Sequence, residues 1–363
     1  MASNVVVALL AATFAIVYKL SVTLDVGKVV YNHRPGECKE IAGPVDGSED
    51  IEIVQSEGIA FIAAGVVCMY GHCPPGKIFM QDLKQKESKL EAHALKITGD
   101  LDQDNFYPHG LSHWIMEDGV IRLYVICHTP QKINSVEILD YDPKVPRLVH
   151  RRSIKGKELV RPNGIVAVGP DEFFFTNDGT AKTKFGNILE IITGWKSGTV
   201  YYYDSKKFHK LLEGKASSNG IAYDEERRKL FVTMVADETV DVYDLSEDRL
   251  KATKVSRINV YSSCDNIVMD MDGSLWIGCH PIVWQAAKLL SDFTNRETYA
   301  PSQVLRLRFH DTYQSATITE VYSDDGRQIS ASSVGAVYRD KLLIGSVSRN
   351  LIQCEIASPA VIS

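Results

Sequence analysis

The chain has 363 residues, with 40 Lys and Arg against 46 Asp and Glu and a formal net charge of −6 at pH 7. At 45% hydrophobic and 24% charged it has the composition of a globular protein with an ample core, and its scattered basic residues exclude nucleic acid as a partner. This length suits either two domains or one closed all-β architecture.

The N-terminus opens on an apolar run, Val5–Tyr18, which extends to Leu24 with Lys19 as its single charge. The shorter stretch suits the core of a cleaved signal peptide; the longer one reaches across a bilayer. No basic residue precedes it and no convincing small-x-small cleavage site follows. Residues 1–30 therefore read as an uncleaved signal-anchor and residues 31–363 as the folded body. Lys19, Lys28 and Arg34 follow the run, which by the positive-inside rule puts the body in the cytosol. The cysteines argue for the other side: a membrane-anchored protein, rather than a secreted one, facing the endoplasmic reticulum lumen or the cell exterior.

Seven cysteines are present. A Cys38–Cys354 bridge would tie the first ordered strand to the last, the alternative being two buried thiols. In the chain-entropy account, closing so long a loop contributes about 5–6 kcal/mol. Cys68 and Cys73 are spaced to pair across a short loop, which leaves Cys127, Cys264 and Cys279 as free thiols. No Asn-x-Ser/Thr sequon occurs.

Beyond the anchor one unit recurs. It reads SEDIEIVQSEGIAFIAAG from Ser48, PHGLSHWIMEDGVIRLYVICH from Pro108, PNGIVAVGPDEFFFTND from Pro162 and SNGIAYDEERRKLFVTMVADETVDVYDL from Ser218. CDNIVMDMDGSLWIGCHP from Cys264 and SSVGAVYRDKLLIGSVSRNLIQCEI from Ser332 complete the set. Each has a polar or Gly-containing mouth, an alternating strand, a polar turn and a more apolar strand. Repetition at this interval predicts an all-β, six-bladed β-propeller rather than a large sandwich. Two segments break the pattern: apolar residues at Phe185, Ile188, Leu189, Ile192 and Trp195 form a helical stripe, and Ile282–Phe293 also reads as helix. Each suits either a lid over the propeller or a helix packed on its own blade.

In a propeller the innermost strands run toward one face, so their mouth residues converge on the axis. These are Glu49, Asn163, Asn219, Asp265 and Asn266, two carboxylates and three amides. Such hard oxygen donors suit Ca²⁺ better than the strictly octahedral Mg²⁺, and neither Zn²⁺ nor copper calls for them. His109, at a strand mouth, and His128, at the far end of the next strand, are placed to meet; a neutral imidazole pair can activate water.

The strings GSEDIEI, FYPHGLS, NGIVAVGP, SSNGI, CDNI with LWIGCHP, and KLLIGSV before CEI, in order from Cys38 to Ile356, resemble the paraoxonase/arylesterase family. The resemblance implies a propeller with calcium on its axis, an uncleaved hydrophobic N-terminus, and hydrolysis of lactones and aryl esters, in some members of phosphotriesters. It assigns Glu49, Asn163, Asn219, Asp265 and Asn266 to the catalytic calcium, His109 and His128 to a histidine dyad, Cys38 and Cys354 to a bridge, and Cys279 to a free thiol. Calcium would polarise the carbonyl, His109 deprotonate water, and His128 steady His109; Asp265 would also orient substrate or water.

The family's second calcium uses an acid beside the PNG asparagine, and here that position is Gly164. Asp50 and the carbonyl of Leu111 remain, a set that would hold calcium weakly or not at all. Cys68 also stands where a substrate-facing aromatic aligns. These departures, with the retained anchor, suit a second class of function. Some invertebrate paraoxonase-like proteins resemble membrane-anchored accessory proteins that help assemble degenerin-type ion channels in the endoplasmic reticulum. A gluconolactonase-like sugar-lactone hydrolase is a third reading. The hydrolase reading is preferred because the five oxygen donors and both histidines persist together; its expected substrate is a small lipophilic lactone or ester.

Overall fold

Six inner strands begin where the six sequence units begin: Asp50–Val54, Tyr107–Ile115, Pro162–Gly169, Ser218–Asp224, Ser263–Met269 and Ser332–Tyr338. The computed structural model describes residues 2–71, 73–85 and 90–357. Among these, each inner strand starts a sheet, five of four strands and one of five, and contacts the inner strand of the next sheet in a closed cycle. The chain is a six-bladed β-propeller.

Both faces of a blade are covered by its neighbours, so the middle strands are apolar without interruption. Glu172–Asn177 is the clearest case. Phe173 and Phe175 pack with Tyr124 and Ile126 of the second blade, while Phe174 packs with Tyr202 and with Tyr223 of the fourth. Outermost strands such as Ala252–Asn259 carry exposed charged residues, which blunt their open edges.

The ring closes with the outer strand of the last blade. Cys38–Ile41 pairs antiparallel with Leu351–Glu355, Cys38 opposite Cys354, and the two are joined by a disulfide. A second bridge links Cys68 and Cys73. The expectation of free thiols at Cys264 and Cys279 is corrected: they form a third bridge, and Cys127 is the free cysteine among the described residues. Register explains this. The pairing Ile267↔Ile277 continued regularly would set His280 opposite Cys264; a bulge at Asp265–Asn266 shifts the register by one and brings Cys279 there.

Among the described residues three α-helices accompany the strands. α1, Ala2–Thr23, has 22 residues and spans about 33 Å; its segment Asn4–Thr23 is long and apolar enough to cross a membrane. Together with three disulfides it marks a secretory-pathway protein. α2, Lys184–Thr193, is capped by the Thr183 hydroxyl, which accepts from Gly186 N–H, and ends at Gly194 in the left-handed region (φ 64°); the expected stripe thus falls on the helix except for Trp195, just beyond it. α3 is Val283–Ser291. α2 and α3 join the second and third strands of blades three and five, on the side where the inner strands begin. The end of α1 docks there too: Leu24 O and Asp25 Oδ2 accept from the Trp284 and Val283 amides, and Lys28 Nζ donates to Tyr261 O.

Candidate active site

The mouth residues are presented by a device repeated from blade to blade. In the second blade Pro108 pairs with Cys127 and Leu111 with Val125, so His109 and Gly110 together face Ile126. In the third, Asn163 and Gly164 face Thr176; in the fourth, Asn219 and Gly220 face Thr233; in the fifth, Asp265 and Asn266 face Gly278. A two-against-one bulge re-aims side chains at a strand end, and here it turns them toward the axis. The glycines make the convergence tight. An ideal Cβ on Gly110 would lie 2.2 Å from Asn163 O, on Gly164 2.5 Å from Asn219 O, and on Gly220 2.3 Å from Asp265 O. No side chain fits at these three positions without moving backbone.

Around the axis the expected donors meet. Asn266 Nδ2 donates to Glu49 O at 3.0 Å and Ser333 Oγ to the same carbonyl at 2.7 Å. All five donor residues are buried, with exposures between 2% and 8%. Yet Glu49 Oε2, Asn163 Oδ1, Asn219 Oδ1 and Asp265 Oδ1 have no hydrogen-bond partner. Four buried oxygens without a donor are costly, and a hard cation among them would satisfy all four at once. Burial, and next the charge of Asp265, hold the Glu49 carboxyl well above the usual range, as expected of two acids facing each other without a cation. The donor set fits calcium.

The second expected site does not. Asp50 Oδ1 accepts from Ile51 N–H at 2.9 Å and Oδ2 from Leu111 N–H at 2.8 Å, so its carboxylate is satisfied by backbone. Burial pushes its pKa up. Gly164, closed in by Asn219 O, has no room for a replacing acid. On this side of the bulges the axis holds a cavity of about 370 Å³ that reaches Asp50, Leu111 and Gly164. Glu52 and His113 also line it, 2.6 Å apart.

The two histidines touch, His109 Nδ1 to His128 Nε2 at 2.8 Å. Their tautomers follow from Asn134. Its Nδ2 donates to the carbonyls of Leu159 and Val160, both at 3.0 Å, which turns Oδ1 to His128 Nδ1 at 2.8 Å. His128 Nδ1 therefore carries a hydrogen and its Nε2 is a bare acceptor. His109 then donates from Nδ1, leaving its own Nε2 without a hydrogen and 3.2 Å from Glu49 Oε1, whose raised pKa favours the neutral carboxyl that can donate to it. Burial lowers the pKa of both rings, and the neighbouring His109 adds to the shift of His128, to about 4. Both are neutral at pH 7. His109 keeps 16% of its side chain exposed against 2% for Glu49, so a small molecule can reach it.

Three features went unread in the sequence. Asn134 is the tautomer lock; an Asn six residues past a strand-end His was the only signal. His280, inside the quoted LWIGCHP string, approaches Asp265 Oδ2 at 3.3 Å. Third, Arg161 pairs with Asp178, whose charge acts on both histidines, and with Glu190 of α2 at 2.9 Å. Glu190 also accepts from the Thr180 and Ala181 amides and from Ser197, which fastens α2 to the rim. Cys68, where an aromatic was expected, is bridged; Tyr70 two residues on stacks against Phe293 and senses the charges of Asp178 and Arg161.

A sequence profile of the family described as Arylesterase matches residues 29–356. The chain belongs to the paraoxonase/arylesterase family. It is 33% identical over 324 residues to serum paraoxonase/arylesterase 2 of Gallus gallus, covering 88% of each chain. It is 32% identical over 328 residues to serum paraoxonase/lactonase 3 of Homo sapiens, covering 89% of this chain and 90% of that one. Among solved structures it resembles a luciferin-regenerating enzyme (TM-score 0.54, 13% identity, 88% of this chain and 95% of that one). It also resembles a putative gluconolactonase (TM-score 0.51, 13% identity, 90% and 97%). At that identity these two likenesses concern the fold alone; homology to the paraoxonases and lactonases suggests a carboxylic ester hydrolase.

Proposed function

We propose that this paraoxonase-family protein is a calcium-dependent hydrolase of lactones and aryl esters, with Glu49, Asn163, Asn219, Asp265 and Asn266 as the metal ligands and His109 as the general base. The observation that carries the reading is the set of four unpartnered buried oxygens, together with His109 Nε2 3.2 Å from the Glu49 carboxyl. Calcium held there would supply a Lewis-acidic centre for the substrate's carbonyl oxygen. His109 Nε2 takes a proton from water as the water oxygen adds to the carbonyl carbon. The imidazolium so formed is stabilised through Nδ1–H by the acceptor His128 Nε2. The proton then passes to the leaving oxygen as the ester or ring C–O bond breaks. His280, beside Asp265, keeps that carboxylate turned to the axis.

The same face carries the exposed side chains of Phe185, Leu189, Trp195, Tyr261 and Trp284 together with the docked end of α1. This supports an anchored enzyme whose site faces the membrane and which takes lipophilic lactones from it. The test is hydrolysis of an aliphatic lactone by the full chain in detergent, with His109→Gln and Asp265→Asn alongside. His109→Gln is expected to lower kcat by 10²–10⁴-fold with calcium affinity retained, and Asp265→Asn to lower both. Folded, calcium-loaded wild type without activity on lactones or aryl esters would refute the enzyme and leave the accessory role in channel assembly.

A further inference from the structure

The four bulges are alike in backbone but not in what braces them. In the third blade the residue facing the bulge is Thr176, whose hydroxyl accepts from Gly164 N–H at 2.9 Å and donates to Asn219 O at 2.5 Å. In the fourth it is Thr233, whose hydroxyl reaches Asp265 O at 2.9 Å. A side-chain hydroxyl therefore ties each of these bulges to the ligand-bearing bulge of the following blade. The second blade has Ile126 in that place, and the fifth also lacks the hydroxyl. The facing residue is Gly278, and an ideal Cβ there would lie 2.2 Å from Val334 N and 2.3 Å from Ser333 C. The sixth blade's backbone comes too close for a threonine.

This bulge carries the heaviest demand. It presents two adjacent donors, Asp265 and Asn266, where those of the third and fourth blades present one each, and Asp265 faces the buried acid Glu49. Without a cation the two acids oppose convergence, and although the neighbouring blades reach it through Thr233 (to Asp265 O) and Ser332 (to Cys279 O), the strand pair has no facing hydroxyl of its own. What it has instead is the Cys264–Cys279 disulfide, on the strand pair that closes the bulge and adjacent in sequence to Asp265. Both cysteines are buried, at 1% and 0% exposure, within the core shared by blades four and five.

We propose that the Cys264–Cys279 disulfide is a positioning element of the metal site. It holds Asp265 and Asn266 in liganding geometry before the cation arrives, in place of the hydroxyl brace of the two preceding blades. Preorganisation of this kind shows as affinity, since ligands already in place need not be ordered by binding. The inference rests on the reading of the five side chains as calcium ligands.

The test is calcium affinity of the full chain in detergent, stripped with chelator and titrated with Ca²⁺ calorimetrically. Cys264→Val/Cys279→Ala is compared with wild type and with Cys38→Ser/Cys354→Ser, which removes a bridge remote from the axis. The expected result is a calcium Kd raised about 10- to 100-fold in the first variant, the range for outer partners of metal ligands, and changed less than twofold in the second. A purely structural bridge would lower the thermal midpoint and leave Kd within twofold of wild type; that outcome overturns the proposal alone. Wild type that binds no calcium overturns it together with the ligand reading. Should the variant fail to fold, hydrogen exchange on metal-free wild type decides. Amides of residues 266–269 and 277–279 are expected to stay as protected as with calcium, and exchange at loop rates there overturns the clamp.

Discussion

Asn134 offers the sharpest perturbation of the dyad because it touches neither the axial donors nor the reacting atoms. In Asn134→Leu, His128 Nδ1–H loses its acceptor at 2.8 Å. Keeping that hydrogen buried and unpaired costs roughly 1–3 kcal/mol. The alternative is for both rings to change tautomer: His128 donates from Nε2, His109 accepts at Nδ1, and His109 Nε2 acquires a hydrogen aimed at Glu49 Oε1. In that state His109 is a donor where it must be a base. At about 1.4 kcal/mol per decade, the productive tautomer becomes roughly ten- to a hundredfold rarer, and kcat for lactone hydrolysis falls by that factor with KM little changed. Asn134→Asp keeps an acceptor at Nδ1 and retains more activity. Its charge raises the His128 pKa from about 4, so the acid limb of the rate profile moves to higher pH. Steady-state kinetics and ¹⁵N shifts of the two rings read both effects. Wild-type kcat in Asn134→Leu, with a hydrogen still on His128 Nδ1, would refute the tautomer argument.

Two further outcomes follow from burial and connectivity. Glu49 has a folded pKa raised above its unfolded value near 4.5, so without calcium its contribution to stability is full below that value and is lost as pH rises through the raised one. His128, lowered to about 4 from 6.5, has the opposite sign: its contribution is present above 6.5 and is lost as pH falls toward 4. As pH rises through the raised carboxyl, the melting temperature of chelated wild type falls, and calcium or Glu49→Gln lessens the slope, the remainder belonging to Asp50, which is raised in the same direction; equal slopes in all three would contradict the assignment. Cys38→Ser/Cys354→Ser opens a closure spanning 316 residues, for which the chain-entropy account gives about 5–6 kcal/mol. Urea unfolding is expected to show a loss of that order, and a loss under 1 kcal/mol would mean that strand pairing alone closes the ring.

The blades were legible because four of the six carry Asp or Asn at or near their start, residues that a strand does not favour. Asp and Asn at the mouths of alternating segments mark both a strand's start and a site's position, and Asn163, Asn219 and Asp265 stand at such starts. The two short helices were legible from apolar spacing, with the exit at Gly194 placing Trp195 outside. The bulges were not legible, since two residues against one is a property of a strand pair rather than of either strand. That blindness produced the error at Cys264 and Cys279, which regular pairing leaves one residue out of register. Gly164 could be read as a missing acid, but the backbone of the next blade that excludes any side chain there could not. Asn134 was hidden because its role depends on two carbonyls 25 and 26 residues away.

The most direct test of the central claim is one calcium titration of the chelated full chain that records bound ion and aliphatic-lactone hydrolysis in the same sample. The four unpartnered oxygens, and an Asp50 whose two oxygens each already accept a backbone N–H, predict a single tightly bound ion per chain, with activity rising in step with its occupancy. Hydrolysis that survives complete chelation, or binding without hydrolysis, would contradict the account.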